Sequence, residues 1–461
     1  MLIKEENALH FLELRHYNQS SKTVAGEMIA LGKNRIFIFT LLFWLAGQLT
    51  ALAGWVPDGE KTTLDFWLRN TPDVERVILN RQEVRLLNEK IKEVSSPLNS
   101  VDLAAYPESI SGETLKKQLD KTSYRFVGDL YYNDKPLKET FKRELISRGN
   151  LKGIPDKVRT RYAVMVRYTN LRSIPFSEAI NNHAEGYTWE LDRLQEMAVS
   201  TGEPAIVLHE SRDGDFYYVQ CYDYCGWVEA DALAFTDREK WLQYIEPQSF
   251  LTVIKSHYTA RLKEEEAFYQ QGARLPLLEE EADCYIVAVP QRNKNGCLRE
   301  TKVKISKQEA ALCKGYLPYT AGNILRSAFA DYGVPYGWGS MDKGVDCSGF
   351  IQNVYHTVGV RLPRNGGDQE KAFGRTTYFA DGLDEKERFR LMQDISTGAE
   401  ICFAGHVVLY LGSLEGKVYV IHAPFEVEEN VPGRVVVASL RPAGRNSLKK
   451  IQTVKEYVLY K

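Results

Sequence analysis

The spacing of hydrophobic residues changes character along the chain. Between residues 57 and 155, apolar residues recur every three to four positions, which predicts amphipathic helices. One helix is expected to open at Pro72 and to continue as far as Ile91, and another to run from Pro136 to a stop at Gly149. Residues 57–155 are therefore predicted to form a small helical N-terminal domain that carries no chemistry of its own.

From about residue 156 the pattern becomes short apolar runs separated by turn residues. Four or five such runs fall between residues 161 and 236, and a second set follows Tyr244. Short strands at this density are typical of small antiparallel barrels or sandwiches. We predict two small β-barrels in tandem, over residues 156–240 and 241–315.

The remaining segment, residues 316–461, combines helices with strands. A helix is predicted at about 321–332, and a second begins near Cys347, because its apolar positions follow a three, four and seven spacing that buries one face. These positions are Phe350, Ile351, Val354 and Val358. Strands are predicted at about 400–411, 417–424, 434–440 and 455–460. A helix packed on an antiparallel sheet, an α+β domain, is the simplest arrangement.

The first segment of the chain has the features of an export signal. Two basic residues precede an apolar run from Ile36 to Ala46, and the small residues Ala51 and Ala53 follow in the pattern that signal peptidase cleaves. The run is too short to favour a stable membrane span, although an uncleaved anchor is the alternative. We expect residues 1–53 to be a signal-peptide region with the true start at Met28, and the mature protein to be periplasmic or in the cell envelope.

Composition narrows the class of protein. A length of 461 residues predicts two to four domains. The 59 Lys and Arg residues against 61 Asp and Glu give a net charge of -2, which lacks the basic footprint of a nucleic-acid binder. Export permits disulfides, and Cys221 with Cys225 and Cys284 with Cys297 are candidate pairs among the seven cysteines, although all four are equally compatible with reduced core residues.

Cys347 is the candidate catalytic nucleophile. It is placed at the predicted start of a helix, where unsatisfied N–H groups and the helix dipole favour a thiolate and lower the thiol pKa. The alternative is an ordinary buried thiol, because free cysteine packs like a small hydrophobic residue. A nucleophile also needs a base, which directs attention to the histidines in the predicted strands.

His406 and His422 lie in two consecutive predicted strands. If the segment Gly412–Gly416 is a five-residue turn, Leu411 pairs with Lys417. In an antiparallel pair the residue numbers of all partners then have the same sum, 828, so His406 and His422 face each other across the strands. The three residues then suit a triad in which His406 takes the thiol proton and His422 orients it. A zinc site formed by the same three residues is the other option, but no further Cys or His clusters with them, so we expect no metal and no cofactor.

These residues fall in a segment that resembles a known family. "PYGWGSMDKGVDCSGFIQNVYHTVGVRLPRNGGDQ", followed by "GHVVLYLG" and "VIHA", resembles the NlpC/P60 cysteine peptidases, which cleave peptidoglycan stem peptides. The resemblance spans about residues 318–461, and "YCGWV" at 224–228 resembles the closing motif of a bacterial SH3-type domain. Two positions depart from the family pattern: Ser340 replaces the usual second glycine, and Asn365–Gly367 replaces the common Ser or Thr after Pro-Arg.

The resemblance implies a fold and a set of catalytic roles. The fold is a helical N-terminal unit, two SH3-like β-barrels and a C-terminal papain-like NlpC/P60 domain of the α+β class. Cys347 is implied to be the nucleophile, His406 its base and His422 the third polar member. The Tyr336 hydroxyl is an oxyanion candidate beside the backbone N–H of Cys347, with plain packing as the alternative role for Tyr336.

The resemblance also implies substrate contacts. Asp346 and Ser348 match residues that bind a free amino terminus, and a carboxylate suits an ammonium group, although Asp346 is equally favoured as a helix cap. Trp338 is expected to form a wall of the groove. Tyr224, from the first barrel, is expected to close its far end.

The whole arrangement is similar to the multidomain γ-D-glutamyl-L-diamino acid endopeptidases. This implies an exported monomer that hydrolyses the bond between γ-D-glutamate and a diamino acid, such as diaminopimelate, in stem peptides or muropeptides with a free N-terminal L-Ala. Two alternatives remain: a non-catalytic wall-binding SH3 protein, and an amidase or acyltransferase on the same papain-like fold. Neither nucleic acid nor a stable membrane span after signal cleavage is expected.

Overall fold

A computed structural model describes residues 59–96, 98–120, 126, 128–183, 191–428, 431–440 and 447–460. The predicted signal-peptide region, residues 1–53, lies outside these described residues. In the described part of the chain, no helix combines the length and the hydropathy needed to span a bilayer.

Among its described residues, the segment before the first barrel contains four α-helices and five short strands. Its helices are α1 (Leu64–Asn70), α2 (Arg81–Val94), α3 (Gly112–Asp120) and α4 (Glu139–Arg148). Its strands are β1 (Val77–Leu79), β2 (Ser109–Ser111), β3 (Tyr131–Tyr132), β4 (Lys135–Pro136) and β5 (Lys157–Arg159).

The helix expected to open at Pro72 begins nine residues later. Asn80 accepts hydrogen bonds from the backbone N–H groups of Gln82 and Glu83, and the Glu83 carboxylate accepts from the Asn80 N–H, which forms a capping box. The residues between Pro72 and Asn80 include strand β1 instead, because a partner strand from the C-terminal part is available to it. The second expected helix ends before Gly149 as predicted, but it starts at Glu139.

The N-terminal helices pack on two different parts of the protein. Trp67, Leu87 and Ile91 belong to the same hydrophobic core as the C-terminal helices and sheet, and β1 pairs with β20 (Tyr319–Thr320). Leu115, with other residues of its segment, packs instead into the core beneath the first barrel. The helical segment therefore contributes to two neighbouring cores, and the domain boundaries at 57–155 stay a prediction.

The first barrel is a seven-stranded antiparallel sheet followed by α5 (Arg238–Ile245). Its strand order is β12-β6-β9-β10-β11-β7-β8. The strands are β6 (Arg161–Met165), β7 (Thr169–Arg172), β8 (Gln195–Val199), β9 (Pro204–Glu210), β10 (Phe216–Gln220), β11 (Cys225–Glu229) and β12 (Leu233–Thr236).

The second barrel has a five-stranded sheet, in the order β18-β17-β16-β13-β19, and a separate hairpin of β14 and β15. Its strands are β13 (Phe250–Val253), β14 (His257–Arg261), β15 (Glu266–Gln270), β16 (Arg274–Glu280), β17 (Cys284–Arg292), β18 (Leu298–Ser306) and β19 (Leu312–Lys314). Strand β9 of the first barrel is buried at all but its last position, and the middle of β17 in the second barrel is buried without interruption.

The C-terminal part is a six-stranded antiparallel sheet with helices packed against it. The strand order is β21-β28-β22-β23-β24-β27. Its strands are β21 (Arg375–Tyr378), β22 (Glu400–Phe403), β23 (His406–Leu414), β24 (Lys417–His422), β27 (Val436–Ser439) and β28 (Thr453–Glu456), and β25 (Glu426–Glu428) pairs with β26 (Val431–Pro432) apart from this sheet. The helices are α6 (Ala321–Ala330), α7 (Cys347–His356), α8 (Gly366–Lys371) and α9 (Glu385–Gln393). The α+β class expected from the sequence is the observed one.

The strand predicted over 400–411 is two strands joined by a tight turn. Phe403 pairs with His406, so that Ala404 and Gly405 form a two-residue connection. Gly405 adopts a φ of 77°, a left-handed conformation that tight hairpin turns require and that glycine adopts readily. His406 therefore lies at the start of a strand beside a turn rather than in the middle of a long strand.

The predicted pairings are not formed: neither Cys221 with Cys225 nor Cys284 with Cys297 is joined by a disulfide. Cys284 and Cys297 cannot approach each other, because Cys284 begins β17 and Cys297 follows the far end of that nine-residue strand. At about 3.3 Å per residue, a strand of this length separates them by far more than the reach of a disulfide. Cys221 and Cys225 flank a turn of the first barrel, where the Cys221 N–H donates to the Tyr224 carbonyl, and remain separate.

Candidate active site

Helix α7 presents Cys347 as its first residue. Asp346 is the N-cap, and its carboxylate accepts a hydrogen bond of 2.7 Å from the Gly349 N–H. Asp at this position satisfies an orphan donor of the first turn, which fixes where the helix begins. The predicted apolar face is buried in the C-terminal core, and Cys347 packs, half-buried, against that core.

Two histidines from adjacent strands meet beside this helix. His406 opens β23 and His422 ends β24, and the His406 Nε2 atom lies 2.8 Å from the His422 Nδ1 atom. Their rings are edge to face, with centroids 5.1 Å apart and planes at 67°. The structure therefore brings together the two imidazoles that the sequence placed in one triad.

The pairing of these strands differs from the predicted register. The hairpin closes on Leu414 and Lys417, with a two-residue turn at Glu415 and Gly416, both with positive φ, in place of a five-residue turn. Next to the turn, the residue numbers of paired residues therefore sum to 831 instead of the predicted 828. In that register, side chains at 406 and 422 would lie on opposite faces of the sheet, because facing alternates with each residue.

A β-bulge restores the common face. Between Tyr410 and Gly412 the register shifts by one residue, so that Leu409 pairs with Ile421 and the sum becomes 830. The two histidines are then diagonal neighbours on one face rather than direct partners. The predicted register was wrong, but the bulge and the shorter turn change it by an even number, which preserves the contact between the imidazoles.

Cys347 reaches the same place from the opposite side. The backbone N–H of Val407 hydrogen-bonds the Cys347 thiol, and Val407 is the residue next to His406. The Val407 and Ser348 side chains also both border Gly366: a Cβ added there would lie 3.0 Å from the Val407 Cγ1 atom and 3.9 Å from the Ser348 Cβ atom. The thiol of α7 is therefore adjacent to the first residues of β23, the strand that His406 opens.

Burial controls the protonation of these groups. It raises the pKa of the Cys347 thiol to about 12, with the Asp346 carboxylate adding to the effect and backbone N–H groups of Val407 and Ser348 opposing it. Burial likewise lowers the pKa of His406 to about 4, which Asp346 opposes, and holds the pKa of His422 well below its usual value. The sequence predicted that the helix N-terminus would lower the thiol pKa, but burial raises it, because desolvation outweighs the backbone N–H groups that favour the thiolate.

An arginine that the sequence analysis missed compensates the charge of Asp346. Arg364 Nη2 lies 2.6 Å from the Asp346 Oδ2 atom, and both side chains are buried. Arg364 also donates to the Ser348 hydroxyl at 2.9 Å, and the Asp346 carboxylate accepts from the Gly339 N–H at 3.0 Å. The sequence feature that could have pointed to Arg364 is the Leu-Pro-Arg stretch, where this charged residue directly follows the apolar residues after α7.

Tyr336 lies near Cys347 on a short extended segment. Its backbone pairs with Val345, two residues before Cys347, and its N–H donates to the Gly433 carbonyl at 2.8 Å. Its ring packs edge to face on Phe425 at 5.3 Å. Burial, together with the nearby Asp346 and Cys347 groups, raises the pKa of the phenol, so the hydroxyl stays protonated and able to donate.

The loop Trp338–Lys343, which precedes α7, makes hydrogen bonds to the first barrel. Ser340, which replaces the usual glycine, adopts a φ of 58°, and its carbonyl accepts a hydrogen bond from the Tyr168 hydroxyl. Gln195 of β8 donates to the Gly339 carbonyl at 3.3 Å. Trp338 is half-buried at the start of this loop, and its role as a groove wall stays a prediction.

Tyr224 belongs to the same barrel and contacts the strand β8 that packs against this loop. Its hydroxyl donates to the Glu196 carboxylate at 2.6 Å, and Glu196 is a residue of β8, the strand against which the loop packs: a Cβ added at Gly339 would lie 3.0 Å from the Glu196 carbonyl oxygen. No motif in the sequence marks Glu196, which reads as one polar position in a strand. Of the predicted substrate-binding residues, Asp346 and Ser348 are the sequence neighbours of Cys347. Trp338 begins the loop that precedes them, and Tyr224 is linked to this loop only indirectly, through Glu196.

Comparison with known proteins identifies two domains. Residues 333–434 match the NlpC/P60 family model, and residues 178–229 match the model of an SH3 domain of the SH3b1 type. A γ-D-glutamyl-L-lysine dipeptidyl-peptidase from Bacillus cereus is 26% identical over 211 residues, which cover 44% of this chain and 56% of that protein. A protein of the same name from Bacillus subtilis is 41% identical over 54 residues, 12% of this chain and 18% of that one.

The chain thus spans about half the length of the first of these relatives. Among solved structures, an NlpC/P60 endopeptidase from Photobacterium damselae subsp. piscicida superposes with a TM-score of 0.71 at 20% sequence identity, covering 88% of this chain and 99% of that one. This likeness concerns the fold. It extends beyond the C-terminal part to the barrels and the segment before them.

Proposed function

We propose that this chain, which carries an NlpC/P60 domain and an SH3 domain of the SH3b1 type, is a cysteine endopeptidase acting on peptidoglycan stem peptides. One observation carries the proposal: the Cys347 thiol is contacted by the backbone N–H of Val407, the residue next to His406, whose imidazole lies 2.8 Å from that of His422. A nucleophile, a base and a group that orients the base are the components of nucleophilic amide hydrolysis.

The reaction follows from the protonation of these groups. His406 uses Nε2 to contact His422, so its Nδ1 atom is the one available to the Cys347 thiol. With Nδ1 unprotonated, the Nε2–H of His406 donates to His422 Nδ1, which fixes the tautomer that a base needs. His406 takes the thiol proton as sulfur attacks the scissile carbonyl, and then delivers it to the leaving amine. Water hydrolyses the resulting thioester with His406 again as the base.

Donors for the developing oxyanion are close to the sulfur. The backbone N–H of Cys347 is one of the unpaired donors in the first turn of α7, and the Tyr336 hydroxyl remains protonated because burial raises its pKa. Both lie on the segment that enters the helix. They are the groups we propose to bind the oxygen of the tetrahedral intermediate.

The bond we propose is that between γ-D-glutamate and a diamino acid. The two curated relatives are named for a γ-D-glutamyl-L-lysine linkage, which supports this specificity. A free N-terminal L-Ala would be recognised by carboxylates on the acyl side. Glu196, held by Tyr224, offers one, whereas Asp346 is seen to cap α7 and to pair with Arg364, so its predicted contact with the substrate amine stays a prediction.

The proposed site of action is outside the cytoplasm. The segment over residues 28–53 has the pattern of an export signal, and an SH3 domain of this bacterial type accompanies a peptidoglycan-directed NlpC/P60 domain. We propose a periplasmic or cell-envelope monomer. The first barrel, in contact with the loop Trp338–Lys343 through Gln195 and Tyr168, would limit the groove to short peptides.

The test is product analysis by mass spectrometry with defined peptides. Purified protein is incubated with L-Ala-γ-D-Glu-L-Lys and L-Ala-γ-D-Glu-diaminopimelate, with the same peptides acetylated at the amino terminus, and with intact sacculi. We expect release of L-Ala-γ-D-Glu from the free peptides and little cleavage of the acetylated ones.

Other results would overturn the proposal in distinguishable ways. Cleavage or transfer at a different amide would point to an amidase or acyltransferase. Binding to sacculi without any product would leave a wall-binding protein. Alkylation of Cys347 with iodoacetamide is the matched control, and it is expected to stop cleavage without changing binding to sacculi.

A further inference from the structure

A buried glutamine joins α8 to the first turn of α7. Gln369 of α8 is fully buried, and its Nε2 atom donates to the carbonyl oxygens of Ser348 at 3.0 Å and Pro363 at 2.8 Å. Ser348 directly follows Cys347 in α7, and Pro363 directly precedes Arg364. One amide group therefore ties the start of α7 to the segment that leads to the buried arginine.

The carbonyl bound by Gln369 belongs to a peptide unit that is held at both ends. Its oxygen, from Ser348, accepts from Gln369, and its N–H, from Gly349, donates to the Asp346 carboxylate at 2.7 Å. Because a peptide unit is planar, contacts at its two ends fix its orientation. The N–H of Ser348 contacts the Cys347 thiol, so the peptide unit fixed in this way directly follows the one that contacts the sulfur.

Stability alone does not account for a glutamine at this position. The Gln369 Oε1 atom is buried and has no hydrogen-bond partner among the described residues, and an unpaired buried acceptor lowers the stability of a fold. A methionine of similar length would avoid the unpaired oxygen, but it could donate to neither carbonyl. The two hydrogen bonds from Nε2 are therefore what the glutamine adds to this position.

Helix α8 also lies against the strand that carries the base. A Cβ added to Gly366, the first residue of α8, would lie 3.0 Å from the Val407 Cγ1 atom, so the helix backbone approaches β23 closely there. The backbone N–H of Val407 is the group from β23 that contacts the Cys347 thiol. Helix α8 therefore touches both elements whose backbone N–H groups contact the sulfur, α7 and β23.

We propose that Gln369 is a positioning residue for the hydrolysis. The inference rests on the proposed function, in which Cys347 attacks the substrate and His406 takes its proton. By fixing the first turn of α7 relative to β23, Gln369 holds the thiol at the N–H of Val407, next to the residue that supplies the base. Its side chain contacts backbone carbonyls rather than the sulfur, so its loss should slow the chemical step and leave substrate binding almost unchanged.

The experiment compares Gln369→Met with a matched control, Gln271→Met, in the full chain. Gln271 is also fully buried, its Oε1 atom is also unpaired within the described ranges, and its Nε2 atom donates to the Ser327 carbonyl of α6 at 2.8 Å. The Ser327 hydroxyl lies 2.8 Å from that of Thr357, which follows the last residue of α7. The control therefore removes a similar amide at the opposite end of the helix from Cys347.

The substrate is whichever of the two free tripeptides the wild-type protein cleaves faster. We expect Gln369→Met to lower kcat about tenfold, with KM within about twofold, because a small misplacement of a reacting group reduces the rate more than the binding. Gln271→Met is expected to change neither constant. Melting curves of both variants establish that the proteins compared are folded.

A second pair of variants decides the question if Gln369→Met does not fold. Gly366→Ala adds a methyl group 3.0 Å from the Val407 Cγ1 atom, whereas Gly367→Ala, one residue further along α8, meets no atom of the described chain within 4 Å. Both changes replace glycine with alanine in the same helix, so a difference between them reports the contact with β23. We expect Gly366→Ala to lower kcat several-fold without a matching change in KM, and Gly367→Ala to leave both unchanged.

The possible failures are separable. A wild-type kcat in folded Gln369→Met, or a loss confined to KM, would overturn the assignment while the peptidase proposal stands. A loss of kcat of the same size in Gln271→Met would also overturn it, because the buried amide would then act only through stability. If Gln369→Met does not fold, equal rates in the two glycine variants overturn it. If the wild-type protein cleaves neither tripeptide, the proposed function itself fails, and this inference fails with it.

Discussion

The imidazole of His406 is hydrogen-bonded to that of His422 although the two residues are not partners in the sheet. Their side chains share a face only because a bulge between Tyr410 and Gly412 corrects the register set by the turn. Bulges next to active sites commonly re-aim a side chain in this way. The third member of the proposed triad is thus an imidazole rather than a carboxylate, and because burial holds its pKa well below the usual value, we expect it to contribute orientation more than charge.

Replacing His422 tests this role. We expect His422→Ala to lower kcat about 10²-fold, the lower end of what positioned acid–base groups contribute, with little change in KM. His422→Gln keeps a hydrogen-bond acceptor near the His406 Nε2 atom and should recover part of the rate. Steady-state kinetics on the tripeptide, with circular dichroism to confirm folding, makes the measurement. An unchanged kcat in His422→Ala would show that His406 needs no orienting partner.

The protonation of Cys347 predicts how alkylation depends on pH. Burial raises the pKa of the thiol to about 12 and lowers that of His406 to about 4, so the resting pair is neutral between those values. The rate of iodoacetamide alkylation of Cys347 should therefore keep rising with pH between 6 and 9. The acid limb of kcat/KM should lie below pH 5, because His406 loses its function as a base only when it becomes protonated. A plateau of alkylation near neutral pH would instead indicate a preformed thiolate–imidazolium pair.

Arg364 is predicted to stabilise the segment that presents Cys347. Arg364→Met leaves the Asp346 carboxylate buried without its partner, which typically costs about 3–5 kcal/mol. Adding Asp346→Asn removes the uncompensated charge and should recover most of the loss in thermal stability. Calorimetric melting of the two single variants and the double variant gives the coupling between the residues. Additive losses would contradict a direct interaction.

The buried carboxyl group of Asp223 should make the free energy of unfolding depend on pH. Its carboxyl accepts a hydrogen bond from Gln352 of α7, and burial, with Glu203 adding to it, raises its pKa from 3.8 to about 6. A raised folded-state pKa means that this group stabilises the fold below about pH 4 and that the contribution is lost as pH rises through 6. At about 1.4 kcal/mol per pKa unit, the loss is about 3 kcal/mol.

Asp223→Asn should therefore raise the melting temperature at pH 7.5 and have little effect at pH 3.5. The amide oxygen can still accept from Gln352, so the contact between the first barrel and α7 is retained. Melting curves at both pH values provide the check. A destabilisation of the same size at the two pH values would show that the carboxylate is not held with a raised pKa.

The sequence was sufficient for the parts of the site that depend on local pattern. The apolar spacing of Phe350, Ile351, Val354 and Val358 predicted both the helix and its buried face. Even the incorrect register kept His406 and His422 together, because an error of two positions leaves side-chain facing unchanged.

Features that depend on tertiary contacts were not predictable from the pattern. The turn at Ala404–Gly405 divides what reads as one apolar strand, since a single glycine within a strand pattern does not distinguish a bulge from a turn. Trp67 reads as part of an independent helical unit, but it packs in the C-terminal core, more than 250 residues further along the chain. Arg364 reads as a solvated charge, and only its burial against Asp346 shows its role. The thiol pKa was mispredicted for the same reason, because burial cannot be read from a helix N-terminus alone.

The most direct test of the account is detection of a covalent intermediate on Cys347. Protein is mixed with L-Ala-γ-D-Glu-diaminopimelate, quenched in acid within the first turnovers, digested and mapped by mass spectrometry. We predict that the peptide containing Cys347 gains the mass of the L-Ala-γ-D-Glu acyl group, and that Cys347→Ala shows neither this adduct nor released dipeptide while keeping its fold. Undiminished cleavage by the folded Cys347→Ala variant would contradict the account.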